Sequence, residues 1–551
     1  MTQAGWAKGP AQADIILHGG PIWIGRAEGS VAALAIFRDR VLAAGSEAEI
    51  MALRGPRTRV IDLHGRLATP GLNDSHMHLI NYGQVMGWVN VKPDATPTLA
   101  SLLDAVGARA RALGPGKWVL ARGYDQTKLD VGRHPLRDEL DRVAPENPVM
   151  VTRACGHVSI FNSLALKAGG LDESSPTPQG GFIEIADGRL TGMVAENARD
   201  PVREAIPRAS EDELVADIER GGTKLLSYGI TSCMDAAVGM VAGFSEIAAY
   251  HRAKREGRLP VRAWLTLLGD PGRSIVPQCH AAGLVTDTGD EMLAIGGVKL
   301  FLDGSAGGRT AWMKEPYAGQ PDNLGTHLFS DEELQREVAA LHGMGYRLVC
   351  HAIGDAAIEQ LVTAYEKALA AQPDADRRHR VEHCGYPSEA INARMKAAGI
   401  LPCPQQVFIH DFGDAYVSVL GPERGLSSYP FGTWMRMGLK PATGSDAPVC
   451  DPDPFPNFHA MLTRKTWRGT VMDAGEAVGI EEALQAYTEF GAWSQKQENV
   501  KGKLTPGMLA DVAVFSRDLL TATPAEILED TRCDLTILGG RIVYDRATHR
   551  M

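Results

Sequence analysis

Two histidines one residue apart, His76 and His78, close the stretch Pro70-Gly71-Leu72-Asn73-Asp74-Ser75-His76-Met77-His78. In an extended strand residues i and i+2 share a face, so both imidazoles point to one side and have the geometry to bind one metal ion. Among 16 histidines in 551 residues such a pair arises by chance about half the time, so its weight depends on partners elsewhere. Four later segments supply them. Gly297-Val298-Lys299-Leu300-Phe301-Leu302-Asp303-Gly304 sets Lys299 in an apolar, strand-like run, where an unpaired ammonium is expensive to bury. Tyr346-Arg347-Leu348-Val349-Cys350-His351 and Arg380-Val381-Glu382-His383 are short β-rich runs that each end in a histidine, and Pro441-Ala442-Thr443-Gly444-Ser445-Asp446 ends in a carboxylate.

Six such residues, spread over several hundred positions, meet at one place if each stands at the C-terminal end of a strand in a (β/α)8 barrel, because those ends form a single rim. The expected fold class is therefore α/β, with a TIM barrel as its centre. The middle of the chain alternates short apolar runs with helical patterns, as a parallel barrel requires. One helix starts at the capping box Ser210-Glu211-Asp212-Glu213 and continues through Leu214, Val215, Ile218, Leu225 and Leu226. It leads into Gly229-Ile230-Thr231-Ser232-Cys233-Met234-Asp235, read as the second barrel strand. That leaves a long insertion, about residues 85–209, after the first barrel strand, at a point where insertions cover the catalytic rim. Both ends of the chain are strand-rich, from Ile15-Ile16-Leu17 to Val60-Ile61 and again from Val512-Ala513-Val514 to Ile542-Val543. Residues 1–66 and 499–551 are thus expected to form one small β domain beside a hydrolase domain at 67–498.

This pattern resembles the amidohydrolase superfamily, and the wider sequence is similar to its YtcJ-like branch, which includes N-substituted formamide deformylases. The resemblance runs nearly end to end: Ala13-Asp14-Ile15-Ile16-Leu17, the Gly71 to His78 motif, Asp303-Gly304-Ser305, Gly354-Asp355-Ala356, and Gly502-Lys503-Leu504-Thr505-Pro506-Gly507 through Asp511. It implies that the two termini build a composite β-sandwich. Carried over by position, it also implies His76, His78 and Asp446 as ligands of a first divalent metal and His351 and His383 as ligands of a second; two zinc ions suit these donors, with manganese, iron or cobalt as alternatives. Lys299, carboxylated by carbon dioxide, would bridge them, and the carbamate would turn a buried ammonium into an anionic oxygen ligand. A lysine that pairs with Asp303 or another carboxylate and stays charged is the alternative.

A metal ion of this kind lowers the pKa of bound water from near 16 to about 7. Asp446 is then placed to take the water proton and pass it to the leaving group, and the second metal, or a histidine such as His157, to polarise the carbonyl. The reaction implied is hydrolysis of a C–N bond in an amide, formamide or cyclic amide, with an ester or carbamate as alternative. A mononuclear deaminase of the same superfamily and a barrel scaffold without catalysis are the other readings. Within the insertion, Gly123-Tyr124-Asp125, Gly156-His157 and Thr191-Gly192-Met193-Val194-Ala195-Glu196 resemble family positions near the pocket, which makes Tyr124 and Glu196 substrate-binding candidates. Arg309, in a Gly-rich loop, has the chemistry to reach a substrate oxygen or to sit solvated on the surface.

The net charge of −11 argues against nucleic acid or an anionic membrane as partner. No run is long and apolar enough to span a bilayer, and the first residues lack a signal-peptide core, so the expected location is the cytoplasm and the expected partner a small-molecule substrate. A homodimer is compatible with the resemblance. Eight cysteines are scattered singly with no disulfide or zinc-knuckle spacing, and Cys350 and Cys384, beside His351 and His383, read as packing residues.

Overall fold

A computed structural model describes residues 12–126, 128–153, 156, 158–178 and 181–548. The described residues fall into two compact units, one made from the stretches up to Ile80 and from Ile218 onward, the other from Asn81–Asp217.

The larger unit is organised around parallel strands. Strands β1 (Leu72–Met77), β2 (Ile230–Val238), β3 (Arg262–Leu268) and β4 (Leu293–Lys299) pair side by side in that order. Strands β5 (Val349–Ala352), β6 (Arg380–His383) and β7 (Leu401–Cys403) form a second parallel set. Parallel bridges from Val298 to Leu348 and from Phe301 to His351 link the two sets. Every residue of β2, β3 and β4 is buried, as expected of parallel strands covered on both faces. Helices alternate with these strands: Ser245–Arg255, Asp331–Gly343, Asp355–Ala371 and Glu389–Ala398.

Local chemistry sets the boundaries. The capping box at Ser210 is present, with the Glu213 carboxylate accepting from Ser210 N at 2.8 Å and Ser210 Oγ accepting from Glu213 N at 3.3 Å, and the helix runs from Glu211 to Leu226. Gly229, at φ +79°, then turns the chain into β2, and a Cβ there would stand only 2.8 Å from that of Ala513.

The segment Pro441–Asp446, read from sequence as a strand, carries no regular ladder. Pro441 has no N–H to give, and Lys440 and Asp446 adopt φ values of +53° and +58°. Its backbone is nonetheless bonded on both sides: Ser75 N donates to Thr443 O at 3.0 Å, Asp446 N to His76 O at 2.7 Å, and Gly444 N to Pro404 O at 3.4 Å.

Both ends of the chain join one eight-stranded sheet, in which Ala68–Pro70 pairs with Val512–Phe515 on one side and with Ala13–Gly25 on the other. Ile15, Leu17, Leu34 and Ile36 from the N-terminal strands share a core with Val512, Val514, Leu535 and Ile537. Asp511 in turn grips Arg262 at the start of β3 with two bonds of 2.7 and 2.9 Å.

The unit Asn81–Asp217 has its own six-stranded sheet, running from Gly181–Ala186 at one edge to Val89–Asn90 at the other. Its core includes Leu102, Val106, Val119, Leu140, Val151 and Ile160. Among the described residues no helix is long and apolar enough to cross a membrane.

Candidate metal centre

The C-terminal ends of β1, β4, β5 and β6, together with the Pro441–Asp446 segment, bring the expected ligands into one place. His76 lies in β1 and His78 directly follows it, Lys299 ends β4, His351 lies in β5, and His383 ends β6. Asp446 Oδ1 stands 3.4 Å from His76 Nε2 and 3.3 Å from His78 Nε2. These three side chains offer ligand atoms that all lie within 4.8 Å of one another. Lys299 Nζ is 3.4 Å from His76 Nε2. The His383 ring centre lies 4.8 Å from that of His76 and 4.4 Å from that of His351.

Each imidazole is held from behind, and the holding atom determines which nitrogen faces forward. His76 Nδ1 bonds the carboxylate of Glu382. His78 Nδ1 meets Ala236 O at 2.6 Å, and His383 Nδ1 meets Gln405 Oε1 at 2.6 Å. In all three the Nε2 remains for a metal. His351 is reversed: its Nε2 lies 3.0 Å from Gly304 O and 3.2 Å from Asp303 Oδ1, which leaves Nδ1. Such outer partners fix the ring and its tautomer and raise ligand basicity. Asp303 is itself fixed by Trp312 N at 3.0 Å and Gly354 N at 2.8 Å.

Glu382 is the pivot of this outer layer. It is fully buried and grips Arg380 through bonds of 2.8 and 2.9 Å, while Arg380 Nη2 also donates to Ser75 O at 2.8 Å. Burial works against its charge, but Arg380 and His76 outweigh that and bring its pKa down to about 2. Asp74, buried beside it in β1, ties His76 N and Ser445 together with bonds of 3.2 Å to the first and 2.6 Å to the Ser445 hydroxyl, and burial raises its pKa to about 7.

Asp446 stays anionic, held well below the usual carboxylate range because the His76 and His78 imidazoles overcome the cost of burial. Its Oδ1 is buried and makes no well-aligned hydrogen bond, although two imidazole nitrogens stand within reach. An oxygen and two nitrogens that converge without bonding one another are what a coordination site presents before its ion is counted. Lys299 is fully buried, and burial pushes its pKa down. Asp303, the carboxylate with which it could have paired, is committed to His351 and to the backbone. The donor set therefore fits a divalent ion held by His76, His78 and Asp446, with His351, His383 and Lys299 beside it.

The chain matches the model of the amidohydrolase family over residues 59–544. It belongs to that family. The YtcJ protein of Bacillus subtilis (strain 168) is 30% identical over 547 residues, covering 97% of this chain and 99% of that one. The N-substituted formamide deformylase of Arthrobacter pascens is 26% identical over 515 residues, covering 92% and 94%. In three dimensions the chain is similar to an uncharacterized metal-dependent hydrolase from Pyrococcus horikoshii OT3, with a TM-score of 0.77 and 26% identity over 93% of this chain and 99% of that one. The amidohydrolase thus sits in the YtcJ-like branch, and it is a metal-dependent hydrolase in fold and family.

Of the remaining candidates of this amidohydrolase, Tyr124 and Glu196 belong to the unit Asn81–Asp217, where Tyr124 is buried with its hydroxyl 2.8 Å from His134 Nδ1 and Glu196 is exposed. His157 lies outside the described residues. Arg309 is half-buried at φ +58°, and among the described residues no side-chain partner holds its guanidinium. Cys350 and Cys384 are buried free thiols. Sequence reasoning passed over Glu382, Arg380, Gln405 and Asp74. An Arg-x-Glu pair on one face of an apolar strand, two residues apart and just before a histidine, was the available signal for the first two. Gln405 had none, because an amide after a strand end is common.

Proposed function

We propose that this chain hydrolyses a C–N bond in an amide, formamide or cyclic amide, using water activated at a site for two divalent ions, with zinc as the ion best suited to imidazole, carboxylate and carbamate donors. The observation that carries this reading is the convergence of His76, His78 and Asp446 on one point, with Asp446 Oδ1 buried and unbonded. The similarity to a formamide deformylase supports the bond type. The ion supplies Lewis acidity, which brings the pKa of water to about 7.

The protein's own residues do the rest. Asp446, kept anionic, accepts the proton from the attacking water and returns it to the departing nitrogen, so the amine leaves neutral. Glu382 and Gln405 hold His76 and His383 in the tautomers that present Nε2. Lys299, buried and with no carboxylate bonded to it among the described residues, is disposed to react as the free amine with carbon dioxide, giving a carbamate and one proton. His157 is assigned the carbonyl oxygen, and Arg309, Tyr124 and Glu196 the rest of the substrate.

The same reading takes the fold as a closed (β/α)8 barrel with a terminal β-sandwich and a long insertion after the first barrel strand. Backbone bonds from Thr443, Gly444 and Asp446 to both β1 and the residue after β7 support closure. The shared core of Ile15, Leu34, Val512 and Leu535 supports the sandwich. The test is hydrolysis of a panel of N-formyl and N-acyl amines with and without chelator. Turnover that chelator abolishes and added metal restores is the expected result; no chelator-sensitive turnover on any member overturns the reading.

A further inference from the structure

Beside the metal ligands lies a buried phenol that the mechanism above does not use. Tyr429 is completely enclosed; the Tyr416 hydroxyl is the hydrogen-bonding neighbour of its oxygen, yet its own O–H has no well-aligned acceptor among the described residues. A buried polar group left unpaired is costly and asks for a reason. Its position suggests one. Tyr429 N donates to Gly385 O at 2.8 Å, and a Cβ on Gly385 would come within 3.5 Å of Tyr429 Cζ, the carbon that bears the hydroxyl. Gly385 is two residues beyond His383. The Tyr429 ring also packs on Phe408 with centres 6.1 Å apart, and the other face of that contact is His383, stacked on Phe408 at 6.0 Å and 9°. The phenol end therefore lies beside Gly385, just beyond the end of β6 that carries His383.

The backbone that carries it is held under strain by an unusual device. Tyr429 adopts φ +52°, a conformation disfavoured for a bulky aromatic residue. Arg464, itself fully buried, fixes it by donating to Tyr429 O at 3.1 Å, Ser428 O at 2.6 Å, Gln406 Oε1 at 2.7 Å and Met472 O at 2.9 Å. All four acceptors are neutral, so a guanidinium has been buried here with no counter-charge bonded to it. Stability alone is better served by apolar residues of the same volume. What Arg464 does achieve is to lock the Ser428–Tyr429 turn to Gln406, the neighbour of the Gln405 that orients His383. Burial pushes the phenol's pKa up, the Tyr416 hydroxyl opposes that and the carboxylates of Asp446 and Asp303 add to it; the net rise keeps the phenol protonated across the physiological range, so it is a donor.

We propose that Tyr429 is a catalytic residue whose hydroxyl donates a hydrogen bond to the substrate carbonyl oxygen as negative charge develops on it, with Arg464 as the positioning residue that fixes its turn. This rests on the hydrolase reading. A preorganised donor in a water-poor site needs no reorganisation when charge appears, which is where such a bond is strongest. The assignment gives the site a donor independent of His157.

Tyr429→Phe keeps the ring and removes only the hydroxyl. On whichever N-formyl or N-acyl amine the wild type hydrolyses best, kcat should fall about a hundredfold, with KM changed less than about threefold. Metal content by elemental analysis should match the wild type, and the melting temperature should change little, because the Tyr429 O–H gives up no acceptor in the core. A melting temperature that drops by several degrees shows that the hydroxyl is bonded inside the core, and refutes the proposal. Full kcat in Tyr429→Phe beside an active wild type refutes the role of Tyr429 alone, while a wild type inert on the whole panel refutes the hydrolase reading and this role with it.

Discussion

Glu382→Gln keeps the shape of a buried side chain and removes the single charge between the Arg380 guanidinium and the His76 ring. In the folded protein that carboxyl is held at about 2 against an ordinary 4.5, a difference of about 3 kcal/mol at 1.36 kcal/mol per unit. Independently, removing one member of a buried ion pair costs about 3–5 kcal/mol, because the other charge is left unpaired. The two routes agree on a loss of about 3 kcal/mol at pH 7. Since the folded pKa lies below the unfolded one, this stabilisation is complete above pH 4.5 or so and drains away as the pH falls toward about 2. Urea midpoints of metal-stripped wild type and Glu382→Gln should therefore differ most at neutral pH and converge in acid. Without an anionic acceptor on His76 Nδ1, metal affinity measured by competition with a chromophoric chelator should fall about 10- to 100-fold. Equal midpoints at pH 7 together with unchanged metal affinity would refute the claim that Glu382 anchors the site.

Asp446→Asn should fold, since the neighbouring Asp74–Ser445 bonds remain, yet lose at least about a hundredfold in kcat for want of a proton acceptor; retention of metal and of full turnover would sink the shuttle. Lys501 is buried with its ammonium bonded to Ser232 Oγ and, at 2.7 Å, to Gln495 Oε1, and burial brings its pKa down to about 7. Between pH 7 and 10.5 the unfolded chain holds a proton that the folded one has released, so stability rises with pH by about 1.4 kcal/mol per unit. In Lys501→Met that slope should vanish from the unfolding curves, and an unchanged slope would place the shift elsewhere.

Much of the candidate donor set was legible in the chain because metal chemistry restricts residue type and strand ends restrict place. His76, His78, Lys299, His351 and His383 each close or lie in a short run whose apolar neighbours announce a strand, and the structure puts all five at or beside strand ends. Asp446 was legible by type, although its segment lacks the ladder a strand implies, since a proline and two positive φ angles interrupt it. The outer layer was mostly hidden. Glu382 and Arg380 act across the sheet on His76 and Ser75, more than 300 positions away in sequence, and their Arg-x-Glu spacing marks the pair but not its distant partners. Tyr429 and Arg464 are equally silent, because their roles depend on which atoms go unbonded rather than on spacing. The insertion candidates Tyr124 and Glu196 were chosen from short matches alone, without a chemical constraint as narrow as metal ligation.

Metal stoichiometry by elemental analysis, on protein purified without chelator and with Lys299→Ala beside it, tests the central claim most directly. The site described here predicts two equivalents of divalent metal in the wild type and one or none in the variant. One equivalent in both proteins would make Lys299 structural and the centre mononuclear, and no metal in either would contradict the convergence of His76, His78 and Asp446 on an ion.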